Sequence, residues 1–302
     1  MKGTVVKGIG GFYFVHDGEN VVMGKARGNL KRNKKLIYVG DIVDFDIDQS
    51  DMDGDCVIHR VIERKNFLNR PPVSNLDTLV VVFSLKQPDV NYPVIDKLIA
   101  GALMAGIEPV ICISKTDLAG DEELQKAHSA YKDIYPTVLV NGITGEGTAE
   151  LLELIKGRRV ALAGPSGVGK STITNHILKA SESDELKAFE KAIEAETGEI
   201  SGKTGRGRHT TRHVEIFPLG GGTMLYDTPG FTSLDMPEYD IYRVRDLFPE
   251  FRDLQAECKY ADCLHINEPY CAVKDALKEG KIAKSRYDSY LIMTEEVKKW
   301  QK

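Results

Sequence analysis

The chain has 302 residues, 42% hydrophobic and 28% charged, and a formal net charge of −5. That length suits about two domains of ordinary size with a core that needs no staples, and the charge excludes a general polycation, leaving local basic patches for any nucleic-acid contact. The opening MKGTVVKGIGG lacks the apolar core of a signal peptide, and no apolar run approaches the ~18 residues that span a bilayer, so a cytoplasmic chain without membrane contact is expected.

Residues 1–68 break into five strand-like stretches, GTVVKG, GFYFVH, NVVMGKA, LIYVGDIVDFDI and CVIHRVIE. Five strands in so short a span predict a small closed β-barrel of the OB-fold type. Val43, Phe45 and Ile47 alternate with Asp44, Asp46 and Asp48, which predicts an inward apolar face and an outward acidic one. An acidic strand is a poor RNA platform. The basic loop of Lys31, Arg32, Lys34 and Lys35, with Lys25 and Arg27 nearby, suits phosphate contact better. A second basic run, Lys203, Arg206, Arg208 and Arg212, lies later in the chain. Charge runs are often no more than solvated loops. Asn69–Ser74, with Pro71 and Pro72, reads as a linker.

The pattern then changes to β/α alternation. Leu79–Phe83 is an apolar strand of the buried parallel type, followed by helical spacing over Val94–Met104. The strand PVICIS runs into Ser114–Asp117, and TVLV runs into Asn141-Gly142. A helix over Ala149–Ile155 precedes the strand RRVALAG, and an amphipathic helix is expected at 185–197. The strands HVEIFPL and TMLYD lead to Asp227-Thr-Pro-Gly230, and beyond Tyr239 the chain reads as polar and helical around a cysteine cluster. The organisation is therefore multidomain. It comprises a barrel at 1–68, an α/β domain at 72–236, and a mainly helical domain around the clustered cysteines at 237–302.

Gly164-Pro165-Ser166-Gly167-Val168-Gly169-Lys170-Ser171 matches GxxxxGK[ST], between an apolar strand and a helix that continues through Thr172. Its glycines let backbone N–H groups close on phosphates, Lys170 reaches the β- and γ-phosphates, and the Ser171 hydroxyl ligates Mg²⁺. Asp227 is placed to hold Mg²⁺ through water and the Gly230 amide to face the γ-phosphate. Ser114-Lys115-Thr116-Asp117 is close to NKxD. The Asp117 carboxylate accepts two hydrogen bonds that guanine offers and adenine does not, and the Lys115 stem packs on the base. Ser114 in place of Asn removes an amide donor, which predicts weaker affinity with guanine choice retained. A surface turn is the plainer alternative for so short a motif. The base-backing loop one strand later reads Asn141-Gly142, another departure. The guanine motif precedes the phosphate loop, so the motif order is circularly permuted.

Within GRGRHTTRH, 205–213, Thr210 and Thr211 are both candidates to close over Mg²⁺, with Thr211 preferred. Phe231 occupies the position of a Ras-type catalytic glutamine and cannot orient water. His209 is the nearest imidazole, balanced against an ordinary loop histidine. Cys258, Cys263, His265 and Cys271 supply a tetrahedral Cys₃His set for one zinc per chain. An odd total of five cysteines fits a reducing compartment, and Cys56 and Cys112 read as buried free thiols.

Taken together, NRPPVSNLDTLVVV, SKTDL, TGEG, GPSGVGKS, TGEIS, GRGRHTT, DTPGF, FPEF, the C-x4-C-x-HxxEP-x-C cluster and ALKEGKIAKSRYDSY resemble the circularly permuted, small-ribosomal-subunit-dependent GTPases of the RsgA/YjeQ family. The resemblance covers nearly the whole chain. It implies slow GTP hydrolysis to GDP, stimulated by the small (30S) ribosomal subunit, in late maturation of that subunit and with contact to its rRNA. The chain departs from the family pattern at Ser114, Asn141-Gly142 and Arg212 and in a longer stretch before TGEIS. A monomer is expected. The segment after Asp227–Gly230 runs into the C-terminal domain, so loss of γ-phosphate is expected to move that domain. The alternative is a nucleotide-gated RNA-binding module whose hydrolysis is incidental. An ATPase or kinase ranks third, disfavoured by SKTD.

Overall fold

The computed structural model describes residues 1–28, 36–47, 56–181, 183–184, 186–191, 214–228, 231–232 and 240–300. Five strands, β1 (Lys2–Ile9), β2 (Phe12–His16), β3 (Val21–Ala26), β4 (Ile42–Ile47) and β5 (Cys56–Val61), close a barrel in the order β1-β2-β3-β5-β4. The pairs are antiparallel except β3 with β5. Closure leaves no unpaired sheet edge. Val5, Val15, Ile37, Val43, Phe45, Cys56 and Ile58 fill the interior. The alternation expected on β4 holds at Val43 and Phe45. It fails at Ile47, which is 42% exposed where the strand leaves the barrel.

The expected linker at Asn69–Ser74 is instead part of a hairpin of β6 (Phe67–Asn69) and β7 (Pro72–Ser74), turning at Arg70-Pro71. Pro72 opens its strand, where a missing N–H costs no ladder bond. Val73 and Ser74 are fully buried, and Val73 bridges Val39.

A six-stranded sheet contains β8 (Thr78–Ser84), β9 (Glu108–Ser114), β10 (Thr137–Val140), β11 (Arg159–Ala163), β12 (Glu215–Gly220) and β13 (Thr223–Asp227). Its order is β10-β9-β8-β11-β13-β12, with β12 antiparallel to β13. The helices are α1 (Tyr92–Met104), α2 (Asp121–Ser129), α3 (Thr148–Ile155), α4 (Lys170–Ser181), α5 (Ile241–Asp246), α6 (Pro249–Gln255), α7 (Ala272–Lys278) and α8 (Lys284–Trp300). Asn91 caps α1 by accepting from Val94 N, and Pro93 at its first turn needs no donor. Residues 186–191 are helical, with Leu186 and Phe189 buried. No helix among the described residues is long and apolar enough to cross a membrane.

By packing the chain divides into two compact units, one of residues 1–79, 155–162 and 174–231, the other of 80–154, 163–173 and 232–302. In the first, the barrel is fastened to sheet strands by polar links. Arg159 donates to Thr4 Oγ1 at 3.0 Å and Gly40 O at 3.4 Å, and Lys7 pairs with Glu215 at 2.7 Å. In the second, α5–α8 pack on α1 through Val244, Phe248, Phe251, Tyr290 and Met293 with Ala100. Arg286, 1% exposed, joins them, bonding Asp96 Oδ1 on α1 and both carboxylate oxygens of Glu250 on α6. Its guanidinium lies 4.6 Å from the Phe248 ring centre and 5.4 Å from that of Tyr131.

Candidate nucleotide and metal sites

Strand β11 ends at Ala163, and Gly164 follows at φ +152; a Cβ there would lie 2.0 Å from the Val82 carbonyl oxygen. Only glycine lets the loop pass so close to β8. The loop turns through Gly167 and Gly169, both at positive φ, into α4. Lys170 opens α4 and donates to Gly164 O at 2.6 Å and Pro165 O at 2.8 Å. Burial holds its pKa below the usual lysine value.

Ser114, at the end of β9, is buried, and its hydroxyl lies 2.6 Å from Val168 O and 3.0 Å from Phe83 O. One hydroxyl proton serves one acceptor, and the shorter contact ties the guanine-motif strand to the phosphate loop. The serine is therefore a brace, where the sequence reading saw only a lost amide donor. Lys115 follows at φ +53 and donates to Gln87 O, and the 3₁₀ turn Thr116–Leu118 leaves Asp117 exposed. After β10, Asn141 Oδ1 accepts from Ile143 N at 2.9 Å and Thr144 N at 3.2 Å, an Asx turn. A Cβ on Gly142 would lie 3.4 Å from Thr172 Cγ2 on α4. The loops after β8, β9 and β10 thus gather beside the phosphate loop, at the carboxyl ends of the strands where open α/β sheets bind ligands.

Asp227 ends β13. Partial burial and then the charge of Glu215, its partner across the strand pair, hold its carboxyl above the usual value. The Asp227 carboxylate suits a cation, while Glu215 is already paired with Lys7 at 2.7 Å. Phe231 is 1% exposed, in agreement with a ring that takes no part in holding water.

In the C-terminal helices, one ligand atom each from Cys258, Cys263, His265 and Cys271 lies within 4.8 Å of all the others. His265 Nδ1 faces the sulfurs, 3.3 Å from Cys271 Sγ and 3.6 Å from Cys258 Sγ. Burial lowers the His265 pKa to about 4 and raises the Cys263 thiol to about 12. The ring is thus neutral and ready to ligate, while the thiols give up protons when metal binds. Glu268 organises the knuckle by accepting from the backbone N–H groups of Leu264, Ile266 and Asn267. Tyr287 and Tyr290 on α8 donate to the carbonyls of His265 and Leu264. The cluster can hold a metal ion.

Comparison with known proteins decides the family. A family model described as RsgA GTPase matches residues 61–237, and one described as RsgA N-terminal domain matches 2–54. The chain belongs to the RsgA GTPase family. The "Small ribosomal subunit biogenesis GTPase RsgA" of Caldanaerobacter subterraneus subsp. tengcongensis is 40% identical over 100% of this chain and 97% of its own. The protein of the same name from Agathobacter rectalis is 38% identical over 100% of both. Among solved structures, YjeQ from Thermotoga maritima has a TM-score of 0.78 at 33% identity, covering 98% of each chain. YloQ, described as a circularly permuted GTPase, has a TM-score of 0.77 at 28% identity, covering 99% of this chain and 95% of that one. The barrel, the permuted GTPase fold and the helical region with its Cys₃His cluster are the architecture expected from the sequence.

The structure brings the Gly164–Thr172 loop and the Ser114–Asp117 motif together in one unit and assembles the four-residue metal cluster. His209, Thr210, Thr211, Gly230, the basic loop Lys31–Lys35 and the run Lys203–Arg212 lie outside the described residues. Sequence reasoning missed the loop at Gln87 that receives Lys115, and Glu268 in the knuckle. The HxxE spacing was a visible signal for Glu268. Nothing in SLKQPDV marked Gln87.

Proposed function

We propose that this chain is a GTPase that binds the small ribosomal subunit and its rRNA and assists its late maturation, with hydrolysis stimulated by the subunit. The Ser114–Val168 bond carries the reading on the structural side. It couples the segment that reads guanine to the segment that holds phosphates, as a GTP site needs. Full-length likeness to relatives named for small-subunit biogenesis supports the ribosomal part.

In this reading Asp117 reads the base, and Gly164–Thr172 cradle the phosphates. Lys170 exchanges the Gly164 and Pro165 carbonyls for phosphate oxygens. Magnesium, when bound with GTP, neutralises charge developing on the phosphates; Ser171, Thr211 and Asp227 would hold it. Gly230 would offer its amide to the γ-phosphate, and His209 would orient water. Zinc is the ion assigned to Cys258, Cys263, His265 and Cys271, since three thiolates and an imidazole suit it best. The protein acts in the cytoplasm as a monomer. The test is GTP turnover against added small subunits with large subunits as control. Strong stimulation by small subunits alone is expected; equal stimulation by both, or none, overturns the ribosomal role.

A further inference from the structure

Tyr226 directly precedes Asp227 on β13. Successive strand residues face opposite ways, so Tyr226 points away from the Asp227 carboxylate while sharing its backbone. Its ring is 1% exposed, and its hydroxyl donates at 3.0 Å to the carbonyl of Ser74 at the end of β7. Gly40, at φ +95, lies against this contact. A Cβ there would fall 2.2 Å from Ser74 O and 2.7 Å from the Tyr226 hydroxyl, so the junction has no slack. From Ser74 the bonding continues into the barrel. Ser74 Oγ donates at 2.7 Å to Asp41, which is fully buried. Asp41 also accepts from Tyr38 N and, bidentately, from Arg64 Nε at 2.7 Å and Nη2 at 2.9 Å. Arg64 Nη2 reaches Leu36 O at 2.8 Å, with its guanidinium 4.9 Å from the Tyr38 ring centre and 5.1 Å from that of Phe67.

We propose that Tyr226, Ser74, Asp41 and Arg64 form a positioning relay through which the nucleotide state at Asp227 sets the conformation of the barrel segment Leu36–Asp41. This rests on the reading above that Asp227 serves a magnesium–GTP site. When the carboxylate is drawn toward or released from the ion, the end of β13 shifts and the Tyr226 hydroxyl shifts with it. The tight contact at Gly40 forces Ser74 to follow or to lose a buried hydrogen bond. Asp41 and Arg64 pass the displacement to Leu36, the residue that follows the basic run Lys31–Lys35 in the sequence. A phenylalanine would fill the same space, so the hydroxyl is what separates a relay from simple packing.

Hydrogen–deuterium exchange on the full chain, with magnesium and either GDP or a non-hydrolysable GTP analogue, tests this. In the wild type, exchange of peptides covering 36–47 and 67–76 should differ between the nucleotides by about threefold or more. Tyr226→Phe should bind both nucleotides as before and lose that difference. Arg64→Lys, which keeps the charge and loses the bidentate geometry, should lose it over 36–47 and retain it over 67–76. It also serves as the readout if Tyr226→Phe does not fold. Arg60→Ala, which removes an exposed barrel pair with Asp44 outside the relay, should keep the full response. No difference in the wild type, or an undiminished one in Tyr226→Phe or, where that variant does not fold, in Arg64→Lys, overturns the proposal. Subunit-stimulated turnover measured on the same wild-type protein separates the two readings. Stimulation without an exchange response refutes the relay alone, and an exchange response without stimulation refutes the ribosomal role alone.

Discussion

The barrel and the C-terminal helices are both additions to a GTPase sheet, and they are fastened by different physics. The C-terminal helices pack on α1 through an apolar cluster, and their buried polar bonding is concentrated in one guanidinium, with Arg286 bonding Asp96 and Glu250 between aromatic rings. The barrel and the adjoining β6–β7 hairpin are held by several modest links, Arg159 to Thr4 and Gly40, Tyr226 to Ser74, and Lys7 to Glu215. Breaking a buried charge pair costs several kcal/mol at a single residue, whereas a distributed joint loses strength in small, nearly additive steps. Chain order pointed to the C-terminal domain as the part moved by the Asp227–Gly230 segment. Its helices pack on α1, while β13 itself bonds the β6–β7 hairpin, which Ser74 in turn ties to Asp41 beside the barrel.

The harshest test of the concentrated joint chelates the zinc proposed for Cys258, Cys263, His265 and Cys271. Helix α8 carries Arg286 and also Tyr287 and Tyr290, which bond the carbonyls of the metal knuckle. Structural zinc supplies on the order of 10 kcal/mol of folding energy, so chelation should unfold the C-terminal helices. Loss of helical circular dichroism is expected, with nucleotide binding retained. Because the thiols must shed protons to bind, metal affinity should fall as pH is lowered from 8 toward about 5. Protein purified without chelator and containing no zinc would break the assignment.

Arg286→Met comes next. It leaves Asp96 and Glu250 without their shared cation, and Asp96 is buried. Losing one partner of a buried pair costs about 3–5 kcal/mol, measurable by denaturant unfolding. Adding Asp96→Asn to Arg286→Met should recover part of the loss, because the stranded charge is gone. A cost near zero would erase the distinction between the two joints.

In the distributed joint, Arg159→Met should cost about 1.5–3 kcal/mol, the range for a hydrogen bond to a charged group. A loss as large as that of Arg286→Met would show that the barrel too hangs on one residue. A neutral bond inside the nucleotide unit supplies the scale below it. Ser114→Ala removes the brace to Val168 O and should weaken GDP binding by about 1 kcal/mol, roughly fivefold, in equilibrium titration. Unchanged affinity would mean the brace does not support the site.

These joints were not legible in the sequence, although the motifs they serve were. Gly164–Ser171 and the cysteine cluster carry their chemistry in local spacing, which a sequence displays. Arg286 meets Asp96 across 190 positions and Tyr226 meets Ser74 across 152, and no periodicity links such partners. Ser114 looked like a defect for the same reason, since its acceptor Val168 lies 54 residues on. The Asn69–Ser74 hairpin was hidden by its prolines, which read as a linker until Val73 was seen bridging Val39.

The smallest expected effect belongs to Lys7 and Glu215, whose side chains are 14% and 23% exposed. Water and salt reach such a pair, and holding the long lysine chain in one rotamer offsets part of the attraction. Lys7→Ala should therefore cost at most about 1 kcal/mol, with the difference from wild type shrinking as salt is raised. Glu215 adds a second consequence, because it also raises the Asp227 carboxyl. Without the lysine's counter-charge, Glu215 presses more strongly on Asp227. The half-saturating magnesium concentration for nucleotide binding should then shift slightly, while Glu215→Gln should lower the Asp227 pKa. A stability loss of several kcal/mol from Lys7→Ala would show that this pair, and not the sum of the links, fastens the barrel. That result would bring the two joints back to a single design.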